Sequence, residues 1–341
     1  MKYITIKDIA KQLNTSVSTV SRAFNDKADI NPETKALVLK TAKALGYRPN
    51  PIAKKLMQQR SFTIGIIVPE FINAFFPEVI IGVQEILFEN GYQVLIAQSS
   101  ECFETELKNI KTLEDSMVDG LIVSLSSESN NTDYYQNLIA SGFPIVLFNR
   151  VNNQLNCSKV VFNDYKWAFF ATEHLINQGC KNIVHLKGRD GVSLTNERLR
   201  GFLDAHQKYQ LSYNKNQIVA TGFTLADGQK AAQNIIDSGN IPDAIFGAND
   251  PVTIGAMQVF KKNGFSIPND IAFVGFTDSQ MATIIEPPLT SVSQPAREIG
   301  EEAAKILIEQ IETKKGFQPK SITLNGQLNI RASSLKITSL K

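Results

Sequence analysis

Ser18 and Arg22 lie four residues apart, so one helical turn puts a hydroxyl and a guanidinium on the same side. A guanidinium held there can donate a fork of hydrogen bonds to O6 and N7 of guanine, worth roughly 1–3 kcal/mol of base discrimination. Val17 and Ser18, at the start of the same stretch, would meet neighbouring base edges. Taken alone, Arg22 would serve as well in a surface ion pair. The frame around it decides between the two.

That frame is TIKDIAKQLNTSVSTVSRAFN, Thr5 to Asn25. Ile6, Ile9, Ala10 and Leu13 recur at helical spacing and form one apolar face. Thr5 precedes them as an N-cap, with Asp8 at the acidic capping position. Asn14, Thr15 and Ser16 break the pattern, and Ser16 can cap a second helix from Val17 to Phe24. Val20 and Phe24 point together there, and residue 18 lies about 200° round from residue 20. A third helix opens at Asn31 and Pro32, buries Val38, Ala42 and Leu45, and ends at Gly46. Three short helices with a polar second one facing out describe a helix-turn-helix unit, whose second helix enters the major groove. Thr5, Ser16, Thr19 and Ser21 read as caps or phosphate donors.

Charge agrees. Residues 1–60 carry 12 Lys+Arg against 4 Asp+Glu, a balance of +8, while the rest of the chain stands at −6. A basic end on a mildly acidic body suggests a polyanion-binding module joined to a different function. A solvated basic tail is the plainer explanation, but a disordered tail needs no helical periodicity. Next comes YRPNPIAKKLMQQR, Tyr47 to Arg60. Asn50 and Pro51 can start a helix of one or two turns, which is marginal without a partner. Leu56, among Lys54, Lys55 and Arg60, reads either as a wedge between base steps or as a leucine packed on the body.

Residues 1–60 resemble the headpiece of the lac-repressor-like family of bacterial transcription regulators. The resemblance rests on TIKDIA, on S-x-S-T-V-S-R-A-F-N and on Y-R-P-N-P-I-A-K-K-L. It implies that Val17, Ser18 and Arg22 read bases and that Leu56 is the minor-groove leucine of a hinge helix. The expected DNA-binding set is Thr5, Ser16, Val17, Ser18, Thr19, Ser21, Arg22, Asn25, Ile52, Ala53, Lys54, Leu56 and Met57.

Beyond Phe62 the pattern becomes strand and helix in alternation. Strands are expected at Thr63–Pro69, Gln93–Ala97, Gly120–Ser124, Pro144–Phe148, Ile183–Lys187, Ile218–Thr221, Ala244–Gly247 and Ile271–Phe276, and helices between them include Glu197–Tyr209 and Pro251–Asn263. A helix Ala296–Thr313 and short strands near Ile322 and Leu328 return at the end. Such alternation makes doubly wound parallel sheets, and these strands fall into two groups with a cleft between them. The resemblance continues here, to a body like the periplasmic binding proteins. The expected fold is thus a small all-α helix-turn-helix headpiece plus an α/β body of two doubly wound parallel-sheet lobes. The expected boundaries are 1–48 for the headpiece, 49–61 for the hinge and 62–335 for the effector-binding and dimerisation body. Its N-lobe would take about 62–160 and 293–321, its C-lobe about 162–290 and 324–335.

Carried over by position, the family's effector site implies Phe75 and Phe76 in FINAFF, Asn149 and Arg150 in FNR, and Arg198 in the run after GRDGVSLT. It also implies Phe223 in GFTLADG, and Asn249 and Asp250 in GANDP. Aromatic faces stack on rings while amides and a guanidinium orient hydroxyls. Each has a plainer reading: the phenylalanines as core, Arg198 paired with Glu197 or Asp204, Asp250 as a helix cap. The family often has an aspartate after the G-[FY] of the strand that here reads VGFTD. Thr277 stands at that place, so either Thr277 makes a neutral contact or Asp278 supplies the carboxylate.

No G-x-G spacing, P-loop, G-x-S-x-G or H-E-x-x-H occurs. His174, His185 and His206 are far apart in sequence, and Cys102, Cys157 and Cys180 have no metal-ligand spacing. No catalytic residue, metal or cofactor is expected, nor a signal peptide. The most apolar window is cut by Pro69, Glu70 and Pro77, so no membrane span is expected. Scattered cysteines predict reduced thiols in a cytoplasmic protein, and the resemblance implies a homodimeric repressor bound to near-palindromic operator DNA and controlled by a small effector, a sugar or sugar derivative first and a purine second. Two alternatives stay open: a solute-binding protein without a DNA role, and an α/β enzyme acting on sugars.

Overall fold

The computed structural model describes residues 4–24, 30–47, 60–127, 132–313 and 316–336. The chain divides into two compact units, Met1–Ser61 and Phe62–Lys341.

In the first unit, α1 (Ile6–Gln12), α2 (Val17–Phe24) and α3 (Pro32–Ala44) enclose a core of Ile9, Ala10, Val20, Ala23, Val38 and Ala42. Six small or medium apolar side chains make a minimal core, so the caps matter. Thr5 and Asp8 form a reciprocal capping box at α1, and Asn31 accepts from the Glu33 amide at α3. Asn14 takes φ 50° in the turn between α1 and α2, a conformation that asparagine tolerates better than most residues.

The second unit holds two six-stranded sheets. The first contains β1 (Thr63–Val68), β2 (Gln93–Gln98), β3 (Gly120–Val123), β4 (Ile145–Phe148), β5 (Ser158–Phe162) and β11 (Ser321–Leu324), in the order β11-β5-β4-β3-β1-β2, all parallel. The second contains β6 (Ile183–Leu186), β7 (Ile218–Val219), β8 (Ala244–Gly247), β9 (Ala272–Thr277), β10 (Thr290–Ser293) and β12 (Gln327–Asn329), in the order β12-β10-β9-β8-β6-β7. Only the β10–β12 pair of this sheet is antiparallel. The chain passes between the sheets after Phe162, after Ser293 and after Leu324. Central strands such as β1, β3, β4 and β8 are buried along their whole length, as strands covered on both faces must be.

Matching helix pairs flank the sheets. In the first lobe α4 (Phe75–Glu89) crosses α12 (Ala296–Glu312), and in the second α9 (Leu225–Asp237) crosses α10 (Asp250–Lys262). Each crossing is close because glycines meet the facing backbone. A Cβ on Gly82 would lie 2.1 Å from the Arg297 carbonyl oxygen, and one on Gly228 would lie 2.0 Å from that of Val252.

Two differences from the sequence reading affect the site. The helix expected from Glu197 starts at Ser193 and runs to Lys208 (α8), so Arg198 sits in its second turn. The charged run from Glu197 masked a first turn of Ser193, Leu194 and Thr195, whose intrinsic helix preference is mixed. The strand β5 and the helix after it, α7 (Asp164–Asn177), are additions to the rhythm. The run DYKWAFFATEHLIN has aromatic residues on several faces and so lacks a clean 3.6-residue period.

Candidate functional site

In the first unit, the polar side of α2 is open. Val17 is 39% exposed, and Ser18 and Arg22 are also exposed, whereas Val20 and Ala23 are buried beneath them. The turn before α2 is tied by its own hydroxyls. The Thr19 amide donates to Ser16 Oγ (3.0 Å), which also lies 2.7 Å from Ser18 Oγ and 2.8 Å from Thr19 Oγ1. At the start of α1, Asp8 Oδ2 accepts from both the Thr5 amide (2.8 Å) and the Thr5 hydroxyl (2.7 Å). Ser21 is half-buried on the same helix. Asn25, Ile52, Ala53, Lys54, Leu56 and Met57 lie outside the described residues.

In the second unit, the carboxyl ends of strands from both sheets converge. Arg150, after β4, is 5% exposed and its Nη1 donates to both Glu101 oxygens at 2.7 Å. Its guanidinium lies 5.9 Å from the ring centre of Phe76 and 4.8 Å from that of Phe223, which follows β7. Phe75 and Phe76 open α4 edge to face, 5.3 Å apart. Burial pushes the Glu101 carboxyl up, but the charge and hydrogen bonds of Arg150, with those of Ser127, outweigh it and hold the carboxyl below its usual value. Glu70, close by, goes the other way: burial lifts it more than the Asn73 and Ile72 amides lower it. Asn149 is buried at φ 56°, which turns the chain sharply off β4 and sets the direction of Arg150.

Arg198 is also buried and paired, with Asp164 rather than Glu197 or Asp204. Its Nε donates to Asp164 Oδ1 (2.8 Å), its Nη1 donates to the Ala248 carbonyl, and its guanidinium carbon is 3.7 Å from the ring centre of Phe276. Burial pushes both partners toward neutrality, Asp164 up and Arg198 down, and their mutual attraction opposes it.

Asn249 and Asp250 have structural tasks. Asn249 caps α10 by accepting from the Val252 amide (3.0 Å), and its Nδ2 donates to the Phe223 carbonyl (2.8 Å). It therefore fixes the backbone that carries the Phe223 ring. Asp250 is fully buried and both its oxygens are occupied, Oδ1 by Ser291 Oγ (2.6 Å) and Oδ2 by the Ser279 amide (2.6 Å). Burial raises it to about 6, against the pull of those two hydrogen bonds. Thr277 Oγ1 faces Gln294 Oε1 at 3.4 Å, while Asp278 spends its carboxylate on Asn329 (2.5 Å) and Arg331 (2.6 Å). The Thr277 hydroxyl thus has an amide neighbour, while the Asp278 carboxylate is engaged within its own lobe.

Glu101, Asp164 and Gln294 were missed by sequence reasoning. Gln294 follows β10 at its carboxyl end, and a complete strand list would have pointed to it. Its Nε2, together with Arg150 Nε and Thr195 Oγ1, is buried without a hydrogen-bond partner. Arg150 and Gln294 accompany site residues already described, and Thr195 Oγ1 stands 3.2 Å from the Cβ position of Gly188, beside the Phe223 ring. Among the described residues no three His, Cys, Asp or Glu gather as a metal site, and no helix is long and apolar enough to cross a membrane.

Comparison with known proteins adds the family. Residues 5–50 match the bacterial regulatory proteins of the lacI family, and residues 172–334 match a periplasmic binding protein-like domain. The ribose operon repressor of Halalkalibacterium halodurans is 33% identical over 310 residues, 91% of each chain. The solved complex of the transcriptional regulator CelR with cellobiose aligns over 97% of this chain and 99% of that one, with a TM-score of 0.75 and 28% identity. The lac repressor dimer bound to operator has the same fold, with a TM-score of 0.85 over 98% of this chain and 100% of that one, at 22% identity.

Proposed function

The chain belongs to the lacI family of bacterial regulatory proteins and is a DNA-binding transcription regulator, and on that premise we propose that it is a repressor controlled by an uncharged sugar bound between the lobes. The carrying observation is the charge state of the cleft. Both buried arginines arrive with a carboxylate already attached, Arg150 with Glu101 and Arg198 with Asp164. The carboxylate of Asp278 is tied to Arg331, and Thr277 offers only a hydroxyl. Among the described residues an anionic ligand would meet no buried arginine without its own carboxylate, and burying the ligand's charge would cost several kcal/mol. A neutral polyol meets what the site offers: the half-buried Phe223 ring for its carbon faces, with Phe75 and Phe76 packed in the core behind it, and unpartnered donors on Arg150 and Gln294 for its hydroxyls. The cellobiose held by CelR and the ribose operon in the name of the Halalkalibacterium relative support a sugar.

Two copies, each with its basic headpiece, would meet the two halves of a near-palindromic operator in the cytoplasm. Val17, Ser18 and Arg22 would read bases, and Leu56 would wedge the minor groove. The boundaries that go with this are a headpiece of 1–48, a hinge of 49–61 and a body of 62–335. Ligand would change how the two lobes sit and so bias the folding of the hinge segment, which needs a few kcal/mol of differential binding. The assignment as a non-enzyme is part of this reading, since the relatives are regulators and both arginine–carboxylate pairs are occupied with each other. A thermal-shift panel tests it. Neutral pentoses, hexoses and disaccharides should raise the melting temperature, and their phosphates and free purines should not. A larger shift from a sugar phosphate would reverse the ligand class.

A further inference from the structure

Two successive non-glycine residues at the end of β9 are held at positive φ: Thr277 at 114° and Asp278 at 58°. Such conformations are strained and persist only where the surroundings over-determine them. Two clasps do so here. From inside the lobe, Asp250 takes the Ser279 amide and the Ser291 hydroxyl, and Ser291 Oγ in turn accepts from the Asp278 amide (3.0 Å). From the end of β12 comes Asn329 and from just beyond it Arg331, and both grip the Asp278 carboxylate. Arg331 is itself anchored. Its Nη1 donates to the Leu289 carbonyl (2.7 Å), and its amide donates to Thr290 Oγ1 (2.7 Å).

We propose that Arg331 is a positioning residue for the effector site. By holding Asp278 it fixes Thr277 and, through it, the Gln294 amide. Thr277 Oγ1 meets the Oε1 end of Gln294, which leaves Nε2 as the end available to a ligand. Arg331 does this from two residues beyond β12, a strand the chain reaches by its third passage between the lobes, after Leu324. The shape of the ligand turn is therefore tied to the seating of a lobe connection, so a contact in the cleft and the lobe geometry are read by the same few residues. The ligand part of this inference rests on the cleft being the effector site; the clasp itself does not.

The test uses the full chain in two arms. In the first, without ligand, hydrogen exchange is followed at the Asp278 and Ser279 amides and, as a control, across β6. Arg331→Gln should speed exchange of the two turn amides at least about tenfold and leave β6 unchanged, and Arg331→Lys should keep it within about threefold of the parent. Asp278→Asn, which breaks the pair from the other side, should repeat the Arg331→Gln pattern. Unchanged turn amides in both variants, or exchange that rises equally in β6, overturns the proposal. In the second arm D-ribose binding is measured by calorimetry. A Kd raised about tenfold in Arg331→Gln and restored in Arg331→Lys supports positioning; a Kd unchanged in Arg331→Gln overturns it. Should the parent protein not bind D-ribose, ribose falls as the effector and the exchange arm alone decides the clasp.

Discussion

Arg150 and Phe223 come from different lobes, and the guanidinium of one lies 4.8 Å from the ring centre of the other. Glu101 covers the charge of that guanidinium through two 2.7 Å contacts. Removing the cover is a direct test of the neutral-ligand reading. Glu101→Gln takes from Arg150 its paired carboxylate, leaving the more distant Glu70 as the nearby acid, and shifts the cleft toward positive charge. Calorimetry should then find ribose 5-phosphate gaining about tenfold over D-ribose relative to the parent protein, the scale of one charge-assisted contact. An unchanged preference would mean that Arg150 does not face the ligand.

Arg22→Ala should cost the headpiece its sequence preference. Loss of one bidentate base contact predicts operator binding weaker by roughly 5- to 150-fold, with non-specific DNA affected much less. Fluorescence anisotropy on operator and scrambled duplexes at one salt concentration separates the two. Equal losses on both would assign Arg22 to the phosphates.

Leu56→Ala addresses the hinge. If the leucine wedges a base step, the substitution should weaken operator binding and reduce the bend, because unstacking is what the wedge sustains. Gel mobility of circularly permuted operator fragments reports the angle, and the same angle with the variant removes Leu56 from the groove.

How much of this was visible in the sequence depends on whether local pattern carried the information. The headpiece was legible nearly to the residue because Thr5, Ser16, Asn31 and Pro32 are caps, and caps are local chemistry. The strand rhythm was legible because β1, β3 and β8 are unbroken apolar runs between turns. The pairings inside the cleft were not. Arg198 meets Asp164 across 34 positions and Asp278 meets Arg331 across 53, and nothing local distinguishes those carboxylates from Glu197 or Asp204. Asp250 came from the resemblance, and its complete burial and its two hydrogen bonds to the turn were equally invisible in the sequence.

Acid should weaken the body through its buried histidines. His185 is fully buried, stacked 4.6 Å from Phe246 and 5.2 Å from Phe202. Burial pushes it down to about 3, although the hydrogen bond to the Phe246 carbonyl pulls the other way. A folded pKa below the unfolded value of about 6.5 means stability that is complete above that pH and is lost on acidification, by up to about 1.4 kcal/mol per unit down to about 3. Burial shifts His174 and His206 in the same direction. Asp250 has the opposite sign: raised to about 6, it contributes stability present below its unfolded value and lost as pH rises through 6. His185→Phe keeps the stack and removes the titration. Urea midpoints at pH 7 and pH 5 should therefore fall less in the variant than in the parent, and equal falls would contradict the assignment.

A sugar in the body and the grip of the headpieces on DNA should be coupled. Anisotropy titrations of the full chain on a near-palindromic operator, with and without the sugar that raises its melting temperature most, measure the coupling directly. The prediction is specific binding by a dimer whose Kd shifts about fivefold or more with the sugar, in line with coupling energies of about 1–3 kcal/mol. Binding that is blind to sequence and identical with and without that sugar would contradict it.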